Sequence, residues 1–178
     1  MRPRTGAACG NGLGAAFWRP GARHTLHAMR TLIPPPAMVV LFGLFMWAID
    51  RLWPTLRLDF AGRGALAVVL LFAALAIMAA AAWTMHRERT TVNPMRPERA
   101  SRLVTHGLFR FSRNPIYVAD LVVLVAWALW LGQWAALALL PLFVIVMSRW
   151  QIAAEEEALA RRFGAEYEAY RARVRRWL

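Results

Sequence analysis

Lysine is absent from this chain, and cysteine occurs only once, at Cys9. A lone cysteine excludes an internal disulfide framework and a thiolate metal site, and the four histidines are too scattered to form a metal-ligand motif, so no metal is predicted. Because lysine is missing, the formal net charge of +12 rests entirely on arginine, whose guanidinium stays charged and binds anionic groups through two parallel hydrogen bonds. We therefore expect anionic groups among the partners.

Charged residues make up only 18% of the chain, whereas 59% of it is hydrophobic, with 9 Trp and 9 Phe. This composition is too apolar for an ordinary soluble domain and indicates lipid as the solvent. The arginines cluster beside long apolar runs and form no single basic stripe, which argues against nucleic acid as a partner. Membrane lipids are the expected partners, and the pattern indicates no particular oligomeric state.

The N-terminal segment, residues 1–28, shows no helical period and lacks the uninterrupted apolar stretch of a secretory signal. We expect it to be a disordered tail. Met29 stands just ahead of the first apolar run and is an alternative start of translation, in which case the mature protein would not contain the tail. The remaining chain divides into an N-terminal pair of membrane helices, residues 29–85, and a functional region, residues 86–178.

Long apolar runs predict the fold class, an all-α membrane bundle of about four transmembrane helices. The first run, residues 34–49, lies near the lower length limit for spanning a bilayer. The second, residues 65–83, is unbroken and long enough to cross. Two helices are therefore expected before the functional region.

The third apolar stretch, residues 121–148, carries no charge and is too long for one span. Gly132 and Gln133 stand near its middle between two tryptophans, a pattern that predicts the tip of a tight helical hairpin. Pro141 is expected to kink the second arm of this hairpin.

The distribution of arginine among the loops predicts the orientation of the bundle. One side of the membrane would receive the N-terminal arginines, the basic loop of residues 86–113 and the segment that begins at Arg149. The other side would receive only Arg51, Arg57 and Arg63. Because cytoplasmic loops carry the excess of basic residues, both termini are expected in the cytoplasm.

Beyond the hairpin, apolar residues of the segment 152–174 recur at steps of three, four or seven, which predicts an amphipathic cytoplasmic helix interrupted at Gly164. Glu157 precedes an arginine by four residues, the spacing of an exposed ion pair. Glu155 and Glu156 bracket the apolar face, where a carboxylate needs a partner.

Two separated motifs carry a resemblance to a known family. The loop ahead of the hairpin, residues 103–117, reads LVTHGLFRFSRNPIY. Beyond the hairpin follow Glu155-Glu156, Leu159, Phe163-Gly164, Tyr167 and Tyr170. Together these segments resemble the isoprenylcysteine carboxyl methyltransferase family and its bacterial relatives, and the related phospholipid methyltransferases share the general plan. The resemblance covers Thr90 to Leu178.

This resemblance implies an enzyme that transfers a methyl group from S-adenosyl-L-methionine to a lipophilic small molecule that enters from the bilayer. A prenylated thiol or carboxylate, a phospholipid amine and a small isoprenoid all fit as acceptors. The cofactor contacts implied by the resemblance are Ser101, Arg102, Leu103, Val104, Phe109, Arg113, Asn114, Pro115, Ile116, Tyr117 and Glu155. The implied catalytic residues are Glu156, Arg149 and Gln151.

The chemistry of the cofactor agrees with this placement. A sulfonium cation with an adenine ring and a zwitterionic tail calls for a carboxylate, aromatic faces and hydrogen-bond donors. Glu155 supplies the carboxylate, and Phe109 and Tyr117 supply aromatic faces. Asn114 stands where the eukaryotic members have histidine, so this position offers no titratable imidazole, although the amide can still donate and accept hydrogen bonds.

Structural interpretations compete for several of these residues. Arg110 and Arg113 could anchor the loop to lipid phosphates, and Glu155 and Glu156 could be solvated residues paired with arginine. Tyr167 and Tyr170 are expected to pack and seat the C-terminal helix. Asp120 follows Tyr117 by three residues, just inside an apolar run, where an ionisable group is a functional candidate, but it could equally reach water at the interface.

Two other functions remain open at this point. One is a membrane reductase of the sterol-reductase type, which also ends in a membrane hairpin and a basic segment but binds a nicotinamide cofactor, whose phosphates the paired acids would repel. The other is a non-enzymatic small membrane scaffold held by its basic faces.

Overall fold

The computed structural model describes residues 34–89 and 101–178. The predicted tail, residues 1–28, lies outside the described residues. Six α-helices form in the described ranges: α1 Pro35–Leu52, α2 Arg63–Arg87, α3 Pro115–Leu131, α4 Trp134–Val146, α5 Ala153–Phe163 and α6 Ala165–Arg173. A 3₁₀ turn, Gly107–Arg110, precedes α3, and a π-helical segment, Met147–Ile152, joins α4 to α5. The predicted all-α membrane bundle is confirmed.

The first two helices are each longer than the apolar runs that predicted them. Proline occupies the first turn of α1, where a missing N–H is harmless, and the helix continues past Ile49 to include Asp50 and Arg51. Helix α2 has 25 residues and extends beyond Trp83 to Arg87. Both are long and apolar enough to cross a membrane.

The predicted hairpin is confirmed, and its tip is where the sequence placed it. Gly132 adopts a left-handed conformation with φ of 68°, which ends α3, and α4 starts two residues later. Helix α4 runs through Pro141 and continues through the π-helical segment into α5, giving one helical stretch from Trp134 to Phe163. The second arm therefore does not end at Ser148.

Small residues allow α2 and α3 to pack closely along most of their length. Ala67, Ala74 and Ala81 recur every seven residues on α2 and are almost fully buried. On α3, Ala119 and Ala126 have the same spacing and are also buried. Side chains this small let two helix backbones approach within a membrane, where the hydrophobic effect between helices is weak.

The main core lies among α1, α3, α4 and the π-helical segment. Phe42 of α1 and Phe143 of α4 meet edge to face, with ring centroids 5.3 Å apart. Met46, Leu124 and Met147 are buried around them. This core fixes the two hairpin arms against α1.

At one end of the bundle, the α1–α2 loop and the first residue of α2 brace the hairpin tip. Arg63 donates to the carbonyl oxygens of Leu129 at 2.6 Å and Trp130 at 2.9 Å, which caps the negative end of α3. The backbone N–H of Leu58 donates to the Gly132 carbonyl at 2.8 Å, and the Gln133 side chain donates to the loop backbone. The motif residues gather at the opposite end.

Candidate active site

The Arg-Asn-Pro turn delivers its side chains to the start of α5. Pro115 begins α3, so Tyr117 projects from the first turn of that helix. The Tyr117 hydroxyl donates a hydrogen bond to Oε1 of Glu155, and Nε2 of Gln151 donates to the same oxygen at 2.9 Å. Two segments separated by the hairpin therefore meet at one end of the bundle, and Glu155 has two hydrogen-bond partners there.

Glu156 lies between two arginines. Arg113 approaches Oε1 at 3.1 Å, and Arg176 binds both carboxylate oxygens, at 3.0 Å from Nε and 2.5 Å from Nη2. Arg113 and Glu156 are both about nine-tenths buried, and the hydrogen bonds to Glu156 raise the pKa of Arg176 above its usual range. Because both oxygens are occupied, this arrangement favours a positioning role for Glu156.

The backbone of residues 175–177, here termed the strap, crosses the Arg-Asn-Pro turn. The backbone N–H of Arg113 donates to the Arg175 carbonyl at 3.0 Å, and Nδ2 of Asn114 donates to the Arg176 carbonyl at 2.9 Å. The Trp177 indole donates to Ser148 at 2.9 Å. Asn114 thus uses its amide to bind backbone, a bond that needs no titratable ring.

A small cleft of about 80 Å³ opens between the turn, α2, α5 and α6. Eight of the predicted site residues line it: Arg102, Leu103, Val104, Phe109, Arg113, Asn114, Glu155 and Glu156. Four residues outside the predicted site complete the lining: Met85, Leu159, Tyr167 and Tyr170. The cleft therefore combines two adjacent acids, two arginines and several apolar or aromatic walls.

The remaining predicted site residues do not line the cleft. Tyr117 and Gln151 support Glu155 without lining the cleft. The Ser101 hydroxyl donates to the backbone carbonyl of Arg89, and Ile116 packs against the apolar wall. Arg149 is exposed on the π-helical segment and does not line the cleft.

Arg113 offers one unused donor to a ligand. Its Nη1 donates to the Tyr167 hydroxyl at 3.2 Å, while its Nε is buried and has no hydrogen-bond partner among the described residues. A buried guanidinium N–H without a partner is unfavourable. An anionic or carbonyl group bound in the cleft would relieve this.

Sequence reasoning missed Arg176 because it stands within a basic run that gave no sign of which arginine turns inward. Tyr167 and Tyr170 were predicted to pack, and both are buried. Their three-residue spacing placed them on one helical face, but periodicity alone could not show that this face also lines the cleft.

Tyr170 fixes α6 to the turn, since its hydroxyl donates to the Phe109 carbonyl at 2.6 Å. Tyr170→Phe is expected to lower the free energy of unfolding by about 1 kcal/mol, the net value of one such bond. Burial raises the pKa of Tyr170, so this contribution is present below pH of about 10 and is lost as the unfolded tyrosine ionises above it. Chemical denaturation in detergent at neutral and alkaline pH measures the stability difference and its pH dependence. If parent and variant lose the same free energy of unfolding at high pH, the predicted pH dependence is wrong.

The fold and the cleft together define the class, a helical membrane protein with a polar site at one end of its bundle. Residues 63–166 match the phospholipid methyltransferase family, and since this is more than half of the chain, the protein belongs to that family and is a membrane methyltransferase. The superfamily resemblance drawn from residues 90–178 is confirmed, and the match also includes α2.

One relative is an uncharacterized protein from Haemophilus influenzae, 44% identical over 63 residues. The matched segment is 35% of this chain and the whole of the relative. No solved structure matches this chain.

Proposed function

We propose that the protein transfers a methyl group from S-adenosyl-L-methionine to a lipophilic acceptor at the cytoplasmic face of the membrane. The observation that carries the proposal is the meeting of the Arg-Asn-Pro-Ile-Tyr turn with the acidic start of α5, through the Tyr117–Glu155 and Arg113–Glu156 contacts. Membership of a methyltransferase family supports the reaction class. The finer assignment to an isoprenylcysteine-type enzyme is part of this proposal.

The donor set in the cleft suits a sulfonium cofactor. When bound, the cofactor supplies an electrophilic methyl carbon on a positively charged sulfur. Glu155 would attract that positive charge, and the buried ring of Phe109 offers an apolar surface. The unpaired Nε of Arg113 would bind the carboxylate of the amino-acid tail.

The cleft must widen to bind a ligand of this size. Its volume of about 80 Å³ is well below the roughly 300–1,000 Å³ typical of small-molecule sites. Residues 101–106 form no helix, and Gly164 separates α5 from α6 with a positive φ of 51°, so two walls of the cleft are not held by continuous helix. Closing around the cofactor would then exclude water and orient the acceptor, which is the main demand of an in-line displacement.

The arginine distribution supports a cytoplasmic position for the cleft. The described arginines after α5 and around the turn lie at the cleft end of the bundle, and Arg57 and Arg63 lie at the hairpin tip. The positive-inside rule predicts that the cleft end faces the cytoplasm, and both termini are expected on that side.

Binding of radiolabelled S-adenosyl-L-methionine to the detergent-purified protein tests the proposal. Glu155→Gln removes the charge beside the sulfonium and is expected to weaken binding at least tenfold, equivalent to about 1.4 kcal/mol. Glu157→Gln is the matched control, because Glu157 follows on the same helix but is exposed and pairs with Arg161 at 2.7 Å. It should bind like the parent.

Two results would count against the proposal. If the parent protein shows no saturable binding, the cofactor assignment is wrong. The two other functions, a membrane reductase and a non-enzymatic scaffold, would then be favoured. Equal affinity of the Glu155→Gln variant and the parent shows that the cofactor lies elsewhere, even if methyl transfer survives.

A further inference from the structure

The α1–α2 loop, residues 53–62, and the hairpin tip form the end of the bundle opposite the cleft, here termed the tip end. Large apolar side chains at the tip end point outward. Six of them are between 43% and 84% exposed: Leu52, Trp53, Leu56, Phe60, Trp130 and Trp134. Large apolar side chains concentrated on a protein surface mark contact with lipid or with another protein.

The backbone of the loop turns its polar groups toward the hairpin tip. The Trp134 N–H donates to the Leu56 carbonyl at 3.1 Å, and the Leu58 N–H donates to the Gly132 carbonyl at 2.8 Å. In hydrocarbon, a backbone group without a partner costs several kcal/mol, because no water is present to bind it. Hydrogen bonds between loop and tip therefore prepare this end for an apolar environment.

Polar side chains at the tip end also find their partners within the protein. Arg57 pairs with Asp50 at 2.6 Å, and Arg63 binds the carbonyl oxygens at the end of α3. Gln133 is fully buried and donates to the Trp53 carbonyl at 2.6 Å. Its Oε1 has no partner among the described residues, but it is enclosed by protein and does not face the surroundings. The outward surface of the tip end is thus mainly apolar.

The bundle is short between the cleft and the tip end. From Tyr117, which contacts Glu155, to Leu131 at the end of α3, the helix rises about 21 Å. The hydrocarbon core of a bilayer is about 30 Å thick, and helix tilt shortens the span further. If the charged cleft residues lie at one headgroup boundary, as the cost of burying charge in lipid requires, the tip end lies about 9 Å short of the other boundary.

We propose that the tip end is immersed in the far leaflet, the leaflet opposite the cleft, and that its partner is the acyl chains of that leaflet. Lipid suits the outward apolar side chains, and it fills the space that the short α3 leaves below the far headgroups. The far leaflet is therefore thinned over the tip end.

Two exposed charged residues limit the depth of immersion. Arg51, in the last turn of α1, and Asp59, in the loop, are both exposed. A charge near the headgroups costs far less than a charge at the centre of the bilayer, and a long arginine side chain can reach the headgroups from below. The loop consequently lies just beneath the far headgroups and not at the bilayer centre.

A spin-label depth measurement tests the proposal on the intact protein. The label is attached to Leu56→Cys in a Cys9→Ser background, which removes the only native cysteine, and the protein is placed in phosphatidylcholine nanodiscs. The label is expected about 5–10 Å below the lipid phosphates, the usual depth of an immersed apolar surface at the interface. Collisions with oxygen should be frequent there, and collisions with a water-soluble nickel chelate should be rare.

Two matched positions calibrate the measurement. Phe72→Cys lies within the apolar helix α2, where Phe72 is 66% exposed, and gives the values for hydrocarbon. Arg161→Cys lies on the charged helix α5, where the Arg161 side chain is 63% exposed, and gives the values for water. Phe60→Cys is a second labelled site at the tip end and should report a depth similar to that of Leu56→Cys.

Two outcomes would overturn the proposal. Nickel collision rates at Leu56→Cys and Phe60→Cys equal to the rate at Arg161→Cys would mean that water surrounds the tip end. Low collision rates with both reagents would mean that another protein surface, such as a second copy of this chain, covers it.

Bilayer thickness provides a second test, on the parent protein. The protein should unfold at a temperature several degrees higher in dimyristoleoylphosphatidylcholine than in dierucoylphosphatidylcholine, because the longer chains of the second lipid increase the mismatch at the tip end. Equal unfolding temperatures in the two lipids would contradict the proposed thinning. Neither test requires cofactor binding or turnover, so failure of the proposed function would leave this inference standing.

Discussion

Glu156→Gln is expected to lower the free energy of unfolding by about 3 kcal/mol, because it leaves the buried guanidinium of Arg113 without its anion. Arg176 contributes less to this loss, since it is 35% exposed and water can replace its partner. Thermal unfolding in detergent measures the combined loss of stability from both ion pairs. Trypsin cleavage near residues 171–176 should also become faster, because the strap is held partly through Glu156.

Two comparisons make this expectation specific. Glu157→Gln, which breaks only an exposed pair, should change stability by less than about 0.5 kcal/mol. Arg176→Gln should destabilise less than Glu156→Gln. If Glu156→Gln unfolds at the same temperature as Glu157→Gln, the ion-pair cluster does not stabilise the cleft.

Gly132→Ala should destabilise the hairpin tip by about 2–3 kcal/mol. The backbone at this position has φ of 68°, which costs a residue with a Cβ about 1–2 kcal/mol. In addition, the new methyl group would collide with the guanidinium of Arg63 and disturb its bonds to the end of α3. Unfolding in detergent by chemical denaturant gives the value.

Gly62→Ala separates these two contributions. Gly62 also has a positive φ, of 85°, but nothing lies within 4 Å of a Cβ built there. Gly62→Ala should lose only the stability that the positive φ costs a residue with a Cβ. Gly132→Ala should therefore be more destabilising than Gly62→Ala by about 1 kcal/mol or more. Equal losses would mean that Arg63 moves aside freely and does not brace the tip.

The bundle could be predicted in outline because lipid imposes simple length and charge rules. An uncharged stretch too long for one span, with Gly132 at its middle, was sufficient to place the hairpin tip. The ends of helices were harder to predict. Asp50 lies within α1 and pairs with Arg57 of the following loop at 2.6 Å, a tertiary contact that no local pattern reveals.

The site was predictable to the extent that burial demands partners. The apolar surroundings of Glu155 and Glu156 indicated that each needed one, and the structure supplies Tyr117 and Arg113. Local sequence patterns could not identify which distant residue would be the partner. Arg176, which binds Glu156, was not predicted for this reason. The burial of Asp120, which is 7% exposed, was likewise left open by sequence alone.

The π-helical segment Met147–Ile152 has a consequence for how relatives are compared. An α-helix turns about 100° per residue, so a wider turn upstream changes which acid of α5 faces inward. None of the six residues in this segment lines the cleft. In a relative that lacks one of these six residues, α5 would be rotated and a different carboxylate would face the cleft. A sequence alignment in which both acids are conserved would then fail to reveal that the site has been lost.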